Sequence, residues 1–338
     1  MKILAFPKNA NIKNPVISNL NKHLTNDVDV EIDEFNLYKP FIKKYDIFHI
    51  HWPDYFYFKS FFLTLLALVY FFIIITIFKI YNTKIIWTVH NLQPHNNYHY
   101  RINKFTMDIF TKLLDGIIVM SEESKIIAYD TYPSLKSKKI SLIYHGLYDN
   151  YKNTISKEDA KVKLGINAET KVLLFFGRID EYKNILVLID EFNKLDDNKL
   201  VLIIAGKIQN RELEQKINNK INAPNIRKIF YFIKSDDVQC LFNASDLVVL
   251  PFKNILNSGS VMLALSFNKP VFCPNIGSLK ELKIIIGEKV INTYEKFTLN
   301  EIEDILNNSE NPDPKLLSKF DNQYLAKQLK QFYLEIEN

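Results

Sequence analysis

Asn257-Ser-Gly-Ser-Val-Met-Leu-Ala-Leu-Ser-Phe-Asn-Lys-Pro-Val271 runs from small polar residues, through an apolar segment of helical length, to Asn-Lys-Pro and a new apolar stretch. Ser258 or Ser260 can cap the helix, and Gly259 lets a ligand come close to the backbone. Amides at a helix start carry partial positive charge and lack partners of their own, so they suit a diphosphate as well as a cap. Working outward, residues 247–250 before the helix and 270–273 after it read as strands. The same alternation continues back through expected strands at 171–176, 200–205 and 226–232 and helices near 184–195, 211–219 and 235–244. These segments form the second of two α/β series, its strands read from their apolar and aromatic runs.

The first half repeats the scheme. Strands are expected at 2–6, 28–35, 47–51, 85–90, 116–120 and 140–144, with helices near 15–24, 59–81, 103–114 and 121–132. Residues 149–168 are polar and lysine-rich, with Ser156-Lys-Glu-Asp159 resembling a capping box, and mark a connection. Residues 321–336 read as a long helix capped by Asp321. The expectation is an α/β chain of two doubly wound parallel-sheet domains, 1–150 and 151–320, followed by a closing helix at 321–338. Such domains bind ligands at the carboxyl ends of their strands, which points to an active site in the cleft between them.

A chain of 338 residues has the length of two domains with substantial cores. Its net charge of +5 is too small for a nucleic-acid footprint and is compatible with an anionic membrane surface. Cys240 and Cys273 lie in apolar segments, so a disulfide framework and a cysteine zinc site are both excluded, and a cytoplasmic location fits. The first residues lack a secretory signal pattern and read as a strand. Residues 61–78 are uncharged, between Lys59 and Lys79, and nearly long enough to span a bilayer. The expected strands on either side require a crossover that packs on their sheet. The segment reads either as a plain buried crossover helix or, since an apolar circumference exceeds what a sheet can cover, as one that presents a face to lipid.

Chemistry gathers at strand ends. In Phe175-Phe-Gly-Arg-Ile-Asp-Glu-Tyr-Lys-Asn184, Arg178 and Lys183 follow Gly177 at a strand-to-helix turn, where a planar fork and a point charge can converge on a diphosphate. Paired with Asp180 and Glu181, the same turn is merely a solvated basic loop. Gly206-Lys207 ends another strand. In the first half, Phe48-His-Ile-His-Trp-Pro-Asp54 brings His51 and Asp54 to a strand end, and Trp87-Thr-Val-His-Asn-Leu-Gln-Pro-His95 brings His90 and His95. Glu122 and His145 follow two further strands. His49 and His51 would share a strand face, but no third ligand has suitable spacing, so no metal is expected. Asp27-Val-Asp29 reads as a solvated turn.

Gly177-Arg178 with Lys183, Gly206-Lys207, residues 246–251, Ser258-Gly-Ser260, Lys269-Pro-Val271, and Asn275-Ile-Gly-Ser278 with Glu281 resemble, in this order, the nucleotide-sugar domain of GT-B glycosyltransferases. That resemblance implies that Arg178, Lys183, Ser258, Gly259 and Ser260 hold the donor diphosphate. Many retaining relatives carry two glutamates around this helix; Ile255 and Leu263 stand there, and Glu281 lies too far along to replace them. This departure favours an inverting reaction, in which a base deprotonates an acceptor hydroxyl. The His-Ile-His-Trp-Pro-Asp and Trp-Thr-Val-His-Asn-Leu-x-Pro-His motifs, with Asn14-Pro15 and a loop at 7–15 that lacks a Gly-rich turn, resemble bacterial β-mannosyltransferases of xanthan-type exopolysaccharide assembly. They imply a nucleotide-sugar donor, GDP-mannose or a UDP-sugar, and an undecaprenyl-diphosphate-linked oligosaccharide acceptor. Metal independence, no cofactor and a peripheral place on the inner face of the plasma membrane complete the expectation.

Asp54 is the first choice of base and His90 the second, since an imidazole ordinarily titrates near the working pH. His51, His95, Glu122, His145, Lys207 and Glu281 are further cleft candidates. Two rival functions share the architecture. One is an epimerase that isomerises a nucleotide sugar without an acceptor, and the other is a non-catalytic nucleotide-binding scaffold.

Overall fold

The computed structural model describes residues 1–8, 16–26, 29–92, 99–208, 210–253 and 255–337. The chain divides into two compact units, residues 1–146 with 320–338 and residues 147–319. The first contains strands β1 (Lys2–Phe6), β2 (Glu31–Glu34), β3 (Ile47–Ile50), β4 (Lys84–Thr88), β5 (Gly116–Val119) and β6 (Lys139–Leu142). All pair in parallel, in the order β2-β1-β3-β4-β5-β6. The second contains β7 (Lys171–Phe176), β8 (Leu200–Ala205), β9 (Ile226–Ile229), β10 (Leu247–Val249), β11 (Val271–Pro274) and β12 (Ile291–Tyr294), again all parallel, in the order β12-β11-β10-β7-β8-β9.

Both orders reverse direction at one point, between β1 and β3 in the first unit and between β7 and β10 in the second. At such a point the loops leaving adjacent strands diverge to opposite faces and open a crevice. The loops after β3 and β7 are those that carry His51 to Asp54 and Gly177 to Lys183.

The helix Asn322–Glu337, expected as a separate closing element, belongs to the first unit's core. Leu325, Leu329, Phe332, Tyr333 and Ile336 pack there with Ile3, Ile47, Ile86 and Ile118. Burial of aliphatic and aromatic side chains of this size stabilises by about 1.5–3 kcal/mol each. Gly116 permits the approach, since a Cβ there would meet Ile336 Cδ1 at 2.3 Å. Asp321 caps the helix as expected, accepting from the amides of Gln323 and Tyr324 at 2.9 and 3.0 Å.

The crossover from β3 to β4 is the helix Phe61–Ile80, capped by Ser60. Leu68, Phe71, Ile74, Ile75 and Phe78 are buried, and Phe78 packs against Phe48 of β3 with ring centroids 4.7 Å apart. Its opposite face exposes Phe62, Leu66, Val69 and Ile73, each by about half or more of its surface. By length and composition this helix could cross a membrane. Its packing on the sheet makes it a crossover with one uncovered apolar face.

Candidate active site

In the second unit the site grows from the end of β7. Gly177 has φ +124°, a region that disfavours side chains, and a Cβ there would come within 2.9 Å of Lys183 Nζ. The next strand end is equally tight, because a Cβ on Gly206 would meet the Gly177 carbonyl oxygen at 1.8 Å. This close approach turns the chain so that Lys183, on a short turn capped by Asp180, points inward. Lys183 is 6% exposed, and its Nζ stands 5.7 Å from the Phe175 ring centre and 5.4 Å from that of Phe252. It donates to Ser260 Oγ at 3.4 Å, at the start of the helix Gly259–Ser266. Burial, helped by the Arg178 charge, lowers its amine to about 8. No ion pair engages it among the described residues, although the Asp180 and Arg178 charges are near enough to act on it, so at neutral pH a buried cation faces a helix start with aromatic faces and a hydroxyl against it.

The other expected diphosphate residues divide in their roles. Gly259 opens the helix, while Ser258 Oγ is committed as a cap, accepting from the Val261 amide at 3.2 Å. Arg178 is exposed and paired with Asp180 at 2.9 Å, as the solvated-loop reading anticipated. Lys207 is exposed beyond β8, and its carbonyl accepts from the Ile179 amide. Glu281 is half-buried in the first turn of the helix Ser278–Ile286. Leu263 is buried in the core and Ile255 is half-buried, so neither position offers a carboxylate.

In the first unit a column of imidazoles rises from β3 and β4. His49 is held on both sides, Nδ1 to the Tyr333 hydroxyl and Nε2 to Thr88 Oγ1, each at 2.6 Å. His51 lies against it, the rings tilted by 36° with centroids 4.2 Å apart. Its Nδ1 meets His90 Nε2 at 3.1 Å, and Trp52 stacks on His90 with ring centroids 4.7 Å apart. His145 bonds through Nδ1 to the Gly146 carbonyl and lines the same pocket as His49, His51 and His90.

These groups do not titrate near neutrality. Burial lowers His49 to about 3, His90 to about 3 and His145 to about 4, and drives His51 well below the usual range, with His49 and His90 adding to the effect. This corrects the expectation that His90 is poised near the working pH. At pH 7 it is a neutral hydrogen-bonding group and a weak base. Asp54 sits half-buried on the turn Pro53–Phe56, beside a pocket that His51, Tyr57 and Asn103 also line. Glu122 faces solvent in a pair with Lys125 at 3.1 Å. His95, Asn14-Pro15, the loop after Lys8 and Asp27 lie outside the described residues.

Sequence reasoning passed over Trp52, Phe252 and Asn103. Trp52 lies within a motif whose chemical signal comes from its histidines and Asp54. Phe252 and Asn103 reach the sites from elements distant in sequence, and a single Asn in an amphipathic helix carries no signal of its own.

Residues 156–312, nearly the whole second unit, match the family described as glycosyl transferases group 1. The second unit is a group 1 glycosyltransferase domain. Over 285 residues the chain is 26% identical to the GDP-mannose:glycolipid 4-beta-D-mannosyltransferase of Xanthomonas campestris, covering 82% of the present chain and 76% of the relative. Among solved structures, HepE of Anabaena in complex with UDP superposes with a TM-score of 0.67 at 17% identity, covering 98% of this chain and 99% of that one. A glycosyltransferase from Rickettsia africae gives 0.67 at 15% identity, covering 99% and 98%. The chain has the GT-B fold. Group 1 members are typically retaining, so the family match does not support the inverting course expected from Ile255 and Leu263.

Proposed function

We propose that this glycosyltransferase moves a sugar, with mannose the first to test, from a nucleotide-diphosphate donor to a hydroxyl of a lipid-linked oligosaccharide in surface polysaccharide synthesis. The observation that carries the donor half is Lys183. A buried ammonium that no described carboxylate pairs with directly is costly unless an anion completes it, and here it faces a helix start whose amides favour the same anion. The name of the Xanthomonas relative supports mannose and a glycolipid acceptor. In this reading the first unit serves the acceptor, with Asp54 as the base and His90 as a neutral partner.

Incubating the purified protein with GDP-mannose, a panel of UDP-sugars and a lipid-diphosphate-linked glycan tests the reading. Transfer from one donor, dependent on the acceptor, is expected. Folded protein that transfers nothing from any donor overturns it.

Inversion is the finer part of the proposal. The absence of carboxylates at Ile255 and Leu263 supports it, as does the beta linkage named for the relative, whereas the habit of the family runs the other way. The anomeric configuration of the product decides the matter by NMR.

A peripheral site on the inner membrane face belongs to the same proposal. The uncovered face of Phe61–Ile80 continues into the short helix Lys39–Ile42, where Tyr70 donates to the Leu37 carbonyl and packs on Phe41. Leu37, Tyr38 and Ile42 are exposed beside it. Sedimentation with anionic vesicles, abolished by Leu66→Glu with Val69→Glu, is the expected result. Unchanged sedimentation of that variant removes this face from the reading.

A further inference from the structure

Among the described residues, two buried polar atoms that lack any hydrogen-bond partner line one pocket of the first unit. His51 is 4% exposed and Asn103 is 5% exposed, yet His51 Nε2 and Asn103 Nδ2 are both unsatisfied. The pocket they share is small and is bordered by Asp54, Tyr57 and Asn91. Leaving such groups unpaired in a native interior costs about 1–3 kcal/mol each, so two in one place mark a position built for a polar occupant.

The rest of the network says what that occupant must be. Both imidazoles are neutral, and His51 Nδ1 faces His90 Nε2 at 3.1 Å, so a single proton lies between them. If His51 donates it, Nε2 is a lone pair in the pocket; if His90 donates it, Nε2 carries the hydrogen. The far end of His51 can therefore accept or donate, according to which ring holds the shared proton. Asn103 Nδ2 can only donate. An anion would suit Asn103 but would lie beside the Asp54 carboxylate, and a cation would be repelled by the amide hydrogens. A hydroxyl, which both donates and accepts, satisfies both atoms.

We infer that His51 Nε2 and Asn103 Nδ2 form a hydroxyl-binding site for the acceptor sugar beside Asp54, with His90 as the positioning residue that sets the tautomer of His51. This rests on the glycosyl-transfer reading and adds the residues that seat the acceptor. The site holds one hydroxyl with its neighbouring ring atoms and leaves the rest of the glycan outside.

The test uses the full chain with His51→Gln, His51→Asn and Asn103→Leu. Glutamine places its amide near the position of Nε2, whereas asparagine reproduces only Nδ1. Asn103→Leu and His51→Asn should raise the acceptor KM roughly 10- to 100-fold, and His51→Gln about threefold or less. Nucleoside diphosphate affinity, read by calorimetry, should stay unchanged in all three. An acceptor KM unaltered in folded Asn103→Leu overturns the inference and leaves the transfer reading standing.

A second measurement is independent of turnover. With ¹⁵N-labelled histidine, a methyl hexoside should shift the His51 Nε2 resonance in the unmodified protein and not in Asn103→Leu. A resonance indifferent to the hexoside marks a resident water and overturns the inference even where transfer is observed. No transfer together with the expected shift overturns the reaction reading and keeps the hydroxyl site.

Discussion

The two sheets use the same topological device and fill it with opposite chemistry. After β3 the reversal point holds imidazoles that burial has made neutral, each engaged with a hydroxyl, a carbonyl or another ring. After β7 it holds an amine that burial lowers only to about 8, still charged at neutral pH. The difference lies in the starting values. A shift of a few units leaves histidine far below neutrality, whereas lysine begins near 10.4 and keeps its proton. One crevice is therefore suited to hydroxyls and the other to an anion, and the comparison can be broken at either side.

The largest effect is expected at Lys183. Lys183→Met keeps the apolar stem against Phe175 and Phe252 and removes the charge. Losing one partner of a buried charged contact costs about 2–5 kcal/mol, or roughly 30- to 4000-fold in donor affinity. Thermal stability without ligand should hold or rise, because an uncompensated buried ammonium disappears. Calorimetry with a nucleoside diphosphate, beside a melting curve, reads both. Normal affinity in the variant would move the anion site elsewhere and dissolve the contrast between the two crevices.

How much of this was legible depends on whether the signal is local. The central strands of both sheets, such as β5, β8 and β10, were readable because a strand buried on both faces must be apolar throughout. The strand β12 escaped notice because only Ile291 of Ile291-Asn-Thr-Tyr294 is fully buried at that edge. Gly177, Arg178 and Lys183 stood out because a glycine and cations at a strand end form one short motif. That Lys183 would be enclosed by Phe252 could not be read, since the two are brought together only by the pairing of β7 with β10. The histidines were visible as residues but not as neutral ones, because their burial comes from Tyr333, Trp52 and the packing around β3 and β4.

The pH response sharpens the same contrast with intermediate effects. In the unfolded chain the four histidines take up protons near 6.5, whereas in the folded unit His49, His90 and His145 do so only at about 3 to 4. The unfolded state therefore binds more protons throughout that window. Stability is fully present above about pH 6.5 and falls as the pH is lowered, by at most about 1.4 kcal/mol per pH unit for each group. Urea unfolding at pH 7 and pH 5 should show the decline. The second unit responds at the other end, since the Lys183 amine gives up its proton above about 8. Nucleoside diphosphate affinity should fall there by up to about tenfold per pH unit, a dependence that Lys183→Met lacks. A flat acid profile would mean that the imidazoles are already charged in the folded state.

The smallest effect separates two serines at one helix start. Ser258 Oγ accepts from the Val261 amide, so its hydroxyl supports the helix, whereas Ser260 Oγ faces the Lys183 amine. Ser258→Ala should lower stability by about 1 kcal/mol, the usual cost of a lost N-cap, and change donor affinity by less than about threefold. Ser260→Ala should do the reverse, leaving the melting temperature nearly unchanged and weakening the nucleoside diphosphate by about tenfold, the worth of a hydrogen bond to a charged group. If Ser258→Ala proves the more damaging to binding, the cap is itself a phosphate ligand. The anion would then sit two residues earlier on the helix, away from Lys183, and the buried amine would need another partner.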